Sequence, residues 1–303
     1  MLVCSINHPI LDQLKRIVVV LVAKPKDPSY DSATRRVFEK MTNEGESASF
    51  VPKETNHCRG SFPAINVGVS LGPGDNKPRR VSVGKHDEMV QRLLNDGDVQ
   101  RLASHQDGRW PIHETCQPDA DLKATIASFK LWAPKLHQHY REYQGKLRAH
   151  IPDLKPNFPR SVFSSMAFNF GPNVETIPHQ DILNLPYGWC AIQALGDFDP
   201  QAGGHIVLWE LKLIIEFPPG SIILIPSATI THSNLPVRAG DQRASITQYT
   251  GGSIFRYVDS GFMLDCELKA KSRKLYDQVY AEREGRWMTG LSYLSKYENG
   301  KLC

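Results

Sequence analysis

Residues 188–227 read GWCAIQALGDFDPQAGGHIVLWELKLIIEFPPGSIILIPS. Short runs of apolar and β-branched residues are separated by Gly-Asp, Gly-Gly and Pro-Pro-Gly steps, which is how strands joined by tight turns are written. Strands are expected at 189–195, 205–208, 213–217 and 221–225, and the same pattern continues outward at 162–170 and 243–249. Many short strands with regular turn signals predict closure as a β-barrel or jelly roll.

Further out the pattern changes. Residues 32–42 and 87–103 suit helices, and Trp132, Leu136, Tyr140, Tyr143 and Leu147 recur every three or four positions around Pro134, which belongs in a first helical turn. The charged stretch 267–287 is also expected to be helical. These helices would buttress the sheet. The expected division is 1–157 as an N-terminal extension packing on the core, 158–262 as the core and 263–303 as a C-terminal helical segment, together one domain.

A chain of 303 residues, 41% hydrophobic, can bury a sizeable core and has none of the bias of disordered, fibrous or membrane-embedded chains. Its longest apolar run, 17–23, sits between Arg16 and Lys24 and falls far short of the roughly 20 residues a spanning helix needs, so it reads as a buried strand. No basic segment followed by a long apolar stretch and a cleavage site opens the chain, which makes the cytosol or nucleus the expected compartment. Six dispersed cysteines without C-x-x-C spacing argue against a disulfide framework or a structural zinc site. A net charge of +4 permits a nucleic-acid partner without requiring one.

His179-Gln180-Asp181 lies at the edge of the strand region, and residues two apart in an extended chain project from one face. His232 follows 53 positions later, just beyond the strand expected at 221–225 and Pro226. Two imidazoles and one carboxylate on one side of a metal leave positions open, the arrangement that suits non-haem Fe(II) oxygenases. Eleven positions further, Arg243 is followed at i+2 by Ser245, so one strand aims a guanidinium and a hydroxyl at the same interior. Such a pair suits the far carboxylate of 2-oxoglutarate. His205 opens a strand and reads as a core or turn histidine, while His137 and His139 lie on the amphipathic helix and need no metal.

His179 to Asn184 spells HQDILN, which resembles the H-x-D-x-x-N signature of the TET/JBP family of nucleic-acid-modifying dioxygenases. The resemblance runs through 188–227 and through THSNLPVRAGDQRASITQYTGG at 231–252, covers 158–262, and extends more loosely to SFPAINVGVS at 61–70. It is nearest to the fungal branch, often found beside transposons. The resemblance implies an α+β chain with a double-stranded β-helix (jelly-roll, cupin-like) core. It also implies Fe(II) held by His179, Asp181 and His232, and 2-oxoglutarate held by Arg243 and Ser245. Molecular oxygen would oxidise the methyl group of a DNA base, 5-methylcytosine to 5-hydroxymethylcytosine and onward, with N6-methyladenine as another candidate. By position Asn184 would hydrogen-bond the base and Tyr249 would stack on it, and Arg243, Ser245, Thr247 and Tyr249 share parity on one strand. Animal members carry a base-contacting histidine where this chain has Gly251.

A base inside a duplex is out of reach of a buried metal, so the nucleotide must be flipped out. Arg59, Lys77, Arg79 and Arg80 are candidate phosphate contacts, with Gly68, Gly72 and Gly74 allowing close backbone approach. A DNA substrate implies a nuclear or nucleocytoplasmic protein. Three other readings stay open at this point. One is an oxygenase acting on a protein side chain or small molecule, another a non-catalytic transposon-associated DNA-binding protein, and the third a cupin-type sugar- or metal-binding module.

Overall fold

The fold is given by a computed structural model that describes residues 7–108, 129–298 and 300–302. An antiparallel pair, β1 (His8–Leu11) and β2 (Ile17–Val22), is followed by α1 (Ser29–Ser47) and the single turn α2 (Pro52–Thr55). A small hairpin, β3 (Asn56–His57) and β4 (Gly60–Ser61), leads to β5 (Ala64–Ser70) and β6 (Arg79–Arg80). Helices α3 (Asp87–Leu94), α4 (Gly97–Asp107), α5 (Phe129–Trp132) and α6 (Pro134–His150) precede the strands expected from the turn signals. These are β7 (Ser165–Asn169), β8 (Cys190–Asp197), β9 (Ile206–Leu208), β10 (Leu213–Ile215), β11 (Ile222–Ile225) and β13 (Gln242–Tyr249), joined by β12 (His232–Asn234), a short strand that no turn signal announces. Helices α7 (Gly252–Asp259), α8 (Asp265–Lys271) and α9 (Arg273–Ser292) follow.

The strands form an α+β jelly roll of two facing sheets. The larger has eight strands in the order β1-β2-β11-β8-β13-β7-β5-β6, and the smaller is β10-β9-β12. Four of the eight, β1, β2, β5 and β6, come from the part of the chain before residue 158, so the N-terminal region builds the sheet as well as packing on it.

The all-buried β11, IILI, shows why its sequence does not alternate. Ile223 and Ile225 enter the core between the sheets with Cys190, Ala194, Ile206, Leu208 and Ile215, while Ile222 and Leu224 pack the other way, against Trp132, Leu136 and Tyr140 beneath α5 and α6. The side chains alternate with period two, but both faces of the sheet are covered. Each such burial is worth roughly 1.5–3 kcal/mol. A third core, with Val37, Met41, Leu93 and Leu102, seats α1, α3 and α4 on Ala244 and Ile246 of β13.

Buried amides tie helix to sheet at that seat. Gln106 Nε2 donates to Gln193 Oε1 at 3.0 Å, Gln248 Nε2 donates to Gln106 Oε1 at 3.0 Å, and Gln193 Nε2 donates to Tyr30 Oη at 2.9 Å. Gly196 makes the tight β8–β13 register possible, since a Cβ there would lie 2.2 Å from the Gln242 carbonyl oxygen at a φ of +143°.

The expected helix 87–103 is two helices, α3 and α4, broken where Asp96 caps α4 by accepting from Asp98 N and Val99 N. The expected helix 267–287 is likewise divided, with Ser272 Oγ accepting from Leu275 N at the start of α9. Cys58, Cys190 and Cys266 are free thiols, and the other three cysteines lie outside the described residues. Among the described residues no helix is long and apolar enough to cross a membrane.

Candidate metal centre

Between the sheets, His179 and His232 face each other across an isolated antiparallel bridge, each accepting the other's backbone N–H, at 3.1 and 3.0 Å. This explains how residues far apart in sequence become neighbours. Asp181, two residues on, is fixed by its N–H to the Ser227 carbonyl at 2.8 Å. The imidazole rings are 4.3 Å apart between centroids. His179 Nε2 lies 4.0 Å from Asp181 Oδ1 and His232 Nε2 lies 3.9 Å from Asp181 Oδ2. One donor atom from each residue lies within 4.8 Å of the other two.

The hydrogen bonds decide which nitrogens are free. His179 Nδ1 donates to the Ile177 carbonyl at 2.8 Å and His232 Nδ1 to the Ile230 carbonyl at 3.0 Å. A proton on each Nδ1 leaves the Nε2 lone pair as the ligand atom, and both Nε2 atoms point at the carboxylate. Burial first, then the neighbouring His232, holds the His179 imidazole below its ordinary pKa, so it is neutral and available at neutral pH. Two neutral imidazoles and one carboxylate in this arrangement fit Fe(II). Cys190 is buried nearby but is not part of the cluster, and burial, reinforced by the Asp181 charge, pushes its thiol up to about 12.

Sequence reasoning missed how the ligand segments are joined. Glu210 accepts from Thr231 N at 2.7 Å, from Thr231 Oγ1 at 2.5 Å and from Gln180 Nε2 at 3.5 Å, linking the residue between His179 and Asp181 to the residue before His232. No local motif announces such a clamp.

Arg243 is 3% exposed. Its Nη1 donates to the Val174 carbonyl at 2.9 Å, its Nε has no partner, and among the described residues no carboxylate pairs with it. Burial pulls its pKa down to about 10. A buried cation with an unused donor and no counter-ion among the described residues is suited to receive a carboxylate. Ser245 and Thr247, also buried, follow on the same face of β13, and Asn169 Nδ2 donates to Ser245 Oγ at 2.9 Å.

At the other end of β13, the Tyr249 ring borders the core between the sheets and its hydroxyl donates to Asn66 Oδ1 at 3.1 Å, within electrostatic range of Arg59 and Asp181. Asn184 is half-buried and bridges to Gly251, and its Nδ2 donates to Ser227 Oγ at 2.9 Å. Ile182 and Leu183 stand 74% and 72% exposed, making an apolar rim directly after Asp181.

The basic candidates divide. Arg79 is bound to Asp75 at 2.6 Å and Arg80 donates to the Lys155 carbonyl at 2.7 Å, whereas Arg59, on the β3–β4 turn, and exposed Lys77 have no ion pair among the described residues. Gly68 is required by its own sheet, since a Cβ at its φ of +118° would lie 2.3 Å from the Ser164 carbonyl oxygen. A cleft of about 780 Å³, lined by His57, Phe62, Pro172, Glu175 and Ile177 among others, borders the hairpin side of the centre. His137 lies 3.3 Å from Asp107, His139 stacks on Phe255 and Tyr293, and His205 is buried at the start of β9, so none of the three joins the metal cluster.

No family model matches this chain, and no curated protein matches it. Among solved structures, NgTET1 in complex with 5mC DNA is similar with a TM-score of 0.50 at 12% identity, over 81% of this chain and 76% of that one. A prolyl-4-hydroxylase from Pseudomonas putida gives 0.38 at 12%, over 77% and 92%, and an oxidoreductase of the 2OG-Fe(II) oxygenase family from Burkholderia pseudomallei gives 0.31 at 18%, over 64% and 70%. The first of these is a likeness of fold.

Proposed function

We propose that this chain is an Fe(II)- and 2-oxoglutarate-dependent dioxygenase that oxidises the methyl group of a modified DNA base. The observation that carries the reading is the convergence of His179 Nε2, His232 Nε2 and Asp181 between two sheets that also enclose Arg243, a cation without a counter-ion among the described residues. His179, Asp181 and His232 would hold the iron, and Arg243 with Ser245 would hold the distal carboxylate of 2-oxoglutarate. Together iron and co-substrate supply oxidising chemistry in which a methyl group, oxygen and 2-oxoglutarate become a hydroxymethyl group, succinate and carbon dioxide.

The remaining residues bind, orient and exclude water. Asn184 offers a carboxamide and Tyr249 a ring to a base flipped into the opening, while Ile182 and Leu183 give that opening an apolar edge. Arg59 and Lys77 are the cations left to meet phosphates. The DNA assignment draws on the HQDILN resemblance and on the fold likeness to NgTET1, which was solved with 5mC DNA. Chromosomal DNA as substrate would make the nucleus the place of action.

The test is incubation with oligonucleotides carrying 5-methylcytosine or N6-methyladenine, with Fe(II) and 2-oxoglutarate, followed by nucleoside mass spectrometry. The expected product is 5-hydroxymethylcytosine from the first base, or adenine and formaldehyde, through an N-hydroxymethyl group, from the second. Succinate release with product on neither base would reject the DNA substrate and leave the oxygenase chemistry in place.

A further inference from the structure

One wall of the interior carries more hydrogen-bond donors than acceptors. Asn169 on β7 is the register partner of Ser245 on β13 and is 4% exposed. Its Nδ2 donates to Ser245 Oγ, and its Oδ1 has no partner. With that oxygen already accepting from Asn169, Ser245 has its own proton to give, and no acceptor receives it among the described residues. Two positions back on β13, Arg243 Nε is also unused.

Turning the Asn169 carboxamide over changes the roles but not the surplus. Its Oδ1 would then accept from the Ser245 hydroxyl, and its Nδ2 would have hydrogens with no recipient. In either orientation the pair offers at least one buried donor next to a guanidinium lacking a counter-ion among the described residues. Unpaired polar groups are uncommon in protein interiors, and donors gathered around an unpaired cation are complementary to an anion with several acceptor oxygens.

We propose that Asn169 is the third member of the distal-carboxylate subsite with Arg243 and Ser245, and that it helps to select a dicarboxylic co-substrate over a monocarboxylic 2-oxo acid. This rests on the 2-oxoglutarate reading above. Asn169 supplies its donor directly, or through Ser245 by fixing which way that hydroxyl points.

Asn169→Asp nearly preserves shape but replaces donors with a negative acceptor, so it separates this role from simple packing. Binding is read by calorimetry on Mn(II)-loaded protein, without turnover, using 2-oxoglutarate and 2-oxobutyrate, which lacks the distal carboxylate. Wild type should prefer 2-oxoglutarate. Asn169→Asp should weaken 2-oxoglutarate binding by about 30-fold or more and Asn169→Ala by about 5- to 10-fold. Binding of 2-oxobutyrate and Mn(II) should stay within about twofold in both variants. Wild-type affinity for 2-oxoglutarate in the variants, or equal loss for both 2-oxo acids, would overturn the assignment. If the Asp variant does not fold, the Ala variant decides by the same ratio. Wild-type protein that binds Mn(II) but neither 2-oxo acid would instead reject the co-substrate reading itself, and the Asn169 role with it.

Discussion

An imidazole becomes a metal ligand when its proton is tied up on the opposite ring nitrogen, and at residues 179 and 232 a backbone carbonyl two positions earlier does this in both cases. Removing one of three ligands leaves a site that solvent can outcompete, so His179→Ala or Asp181→Ala should lower Mn(II) affinity by about two orders of magnitude or more in calorimetry and stop succinate formation. Unchanged affinity in both variants would show that these side chains do not form the centre. Arg243 makes a different prediction because its charge is buried without a carboxylate partner among the described residues. Burial lowers its pKa from 12.5 to about 10, a cost on the order of 3 kcal/mol. A base whose folded pKa is depressed carries that penalty at every pH below about 10, hence in full at pH 7. Arg243→Met should therefore leave the melting temperature of the ligand-free protein unchanged or higher, while abolishing the upward shift that 2-oxoglutarate produces in wild type. A 2-oxoglutarate shift that survives in the variant would show that Arg243 does not hold the co-substrate. The convergence of His179, Asp181 and His232 was legible in the sequence from the H-x-D spacing and the histidine beyond the strand at 221–225, although the bridge that joins 179 to 232 was not. Nor were Asn169 and Glu210, since their partners lie 76 and 21 residues away and nothing local marks the pairing.

At the scale of elements, the break between α3 and α4 is set by one carboxylate. Asp96 Oδ1 accepts from Asp98 N at 3.0 Å and Val99 N at 3.1 Å, and its other oxygen meets Lys40 Nζ of α1 at 2.9 Å. Asp96→Ala should cost about 1–2 kcal/mol in urea denaturation, chiefly through the lost cap, because the ion pair is part-exposed and worth little. Asp96→Asn should recover most of that loss, and equal losses in both variants would assign the effect to charge instead. The apolar periodicity of 87–103 runs through this break, which is why it reads as one helix in the sequence. The strands after residue 161 were legible because glycine and proline mark their ends. The alignment of β2 with β11 was not, because it depends on Leu21 meeting Ile223 across the intervening chain.

At the scale of the whole molecule, two buried histidines outside the candidate metal cluster contribute to acid sensitivity. His105 on α4 is wholly buried, its ring edge-on to Tyr30 at 5.3 Å, and burial pulls its pKa from 6.5 to about 3. His139 on α6 is lowered to about 4, mainly by burial, with the Asp259 carboxylate opposing; solvent reaches it more readily, so its contribution is smaller. The sign follows from which state takes the proton. Below pH 6.5 the unfolded chain protonates these rings while the folded chain does not until about pH 4 for His139 and pH 3 for His105, so stability falls with pH across that interval. For His105 alone, the drop from pH 7.5 to 5.0 is about 2 kcal/mol, from about 1.5 pH units below the unfolded value. Because α4 and α6 pack into different cores, the penalty falls on global unfolding and not on one fraying end. His105→Gln should be less stable than wild type at pH 7.5, since a flat ring is lost from the interior, yet its stability should decline by about 2 kcal/mol less between the two pH values. Parallel decline in urea titrations of the two proteins would show that His105 is not the buried neutral ring described here. Because the two proteins differ only at residue 105, the comparison isolates that ring from every other titrating group, which an activity profile would merge.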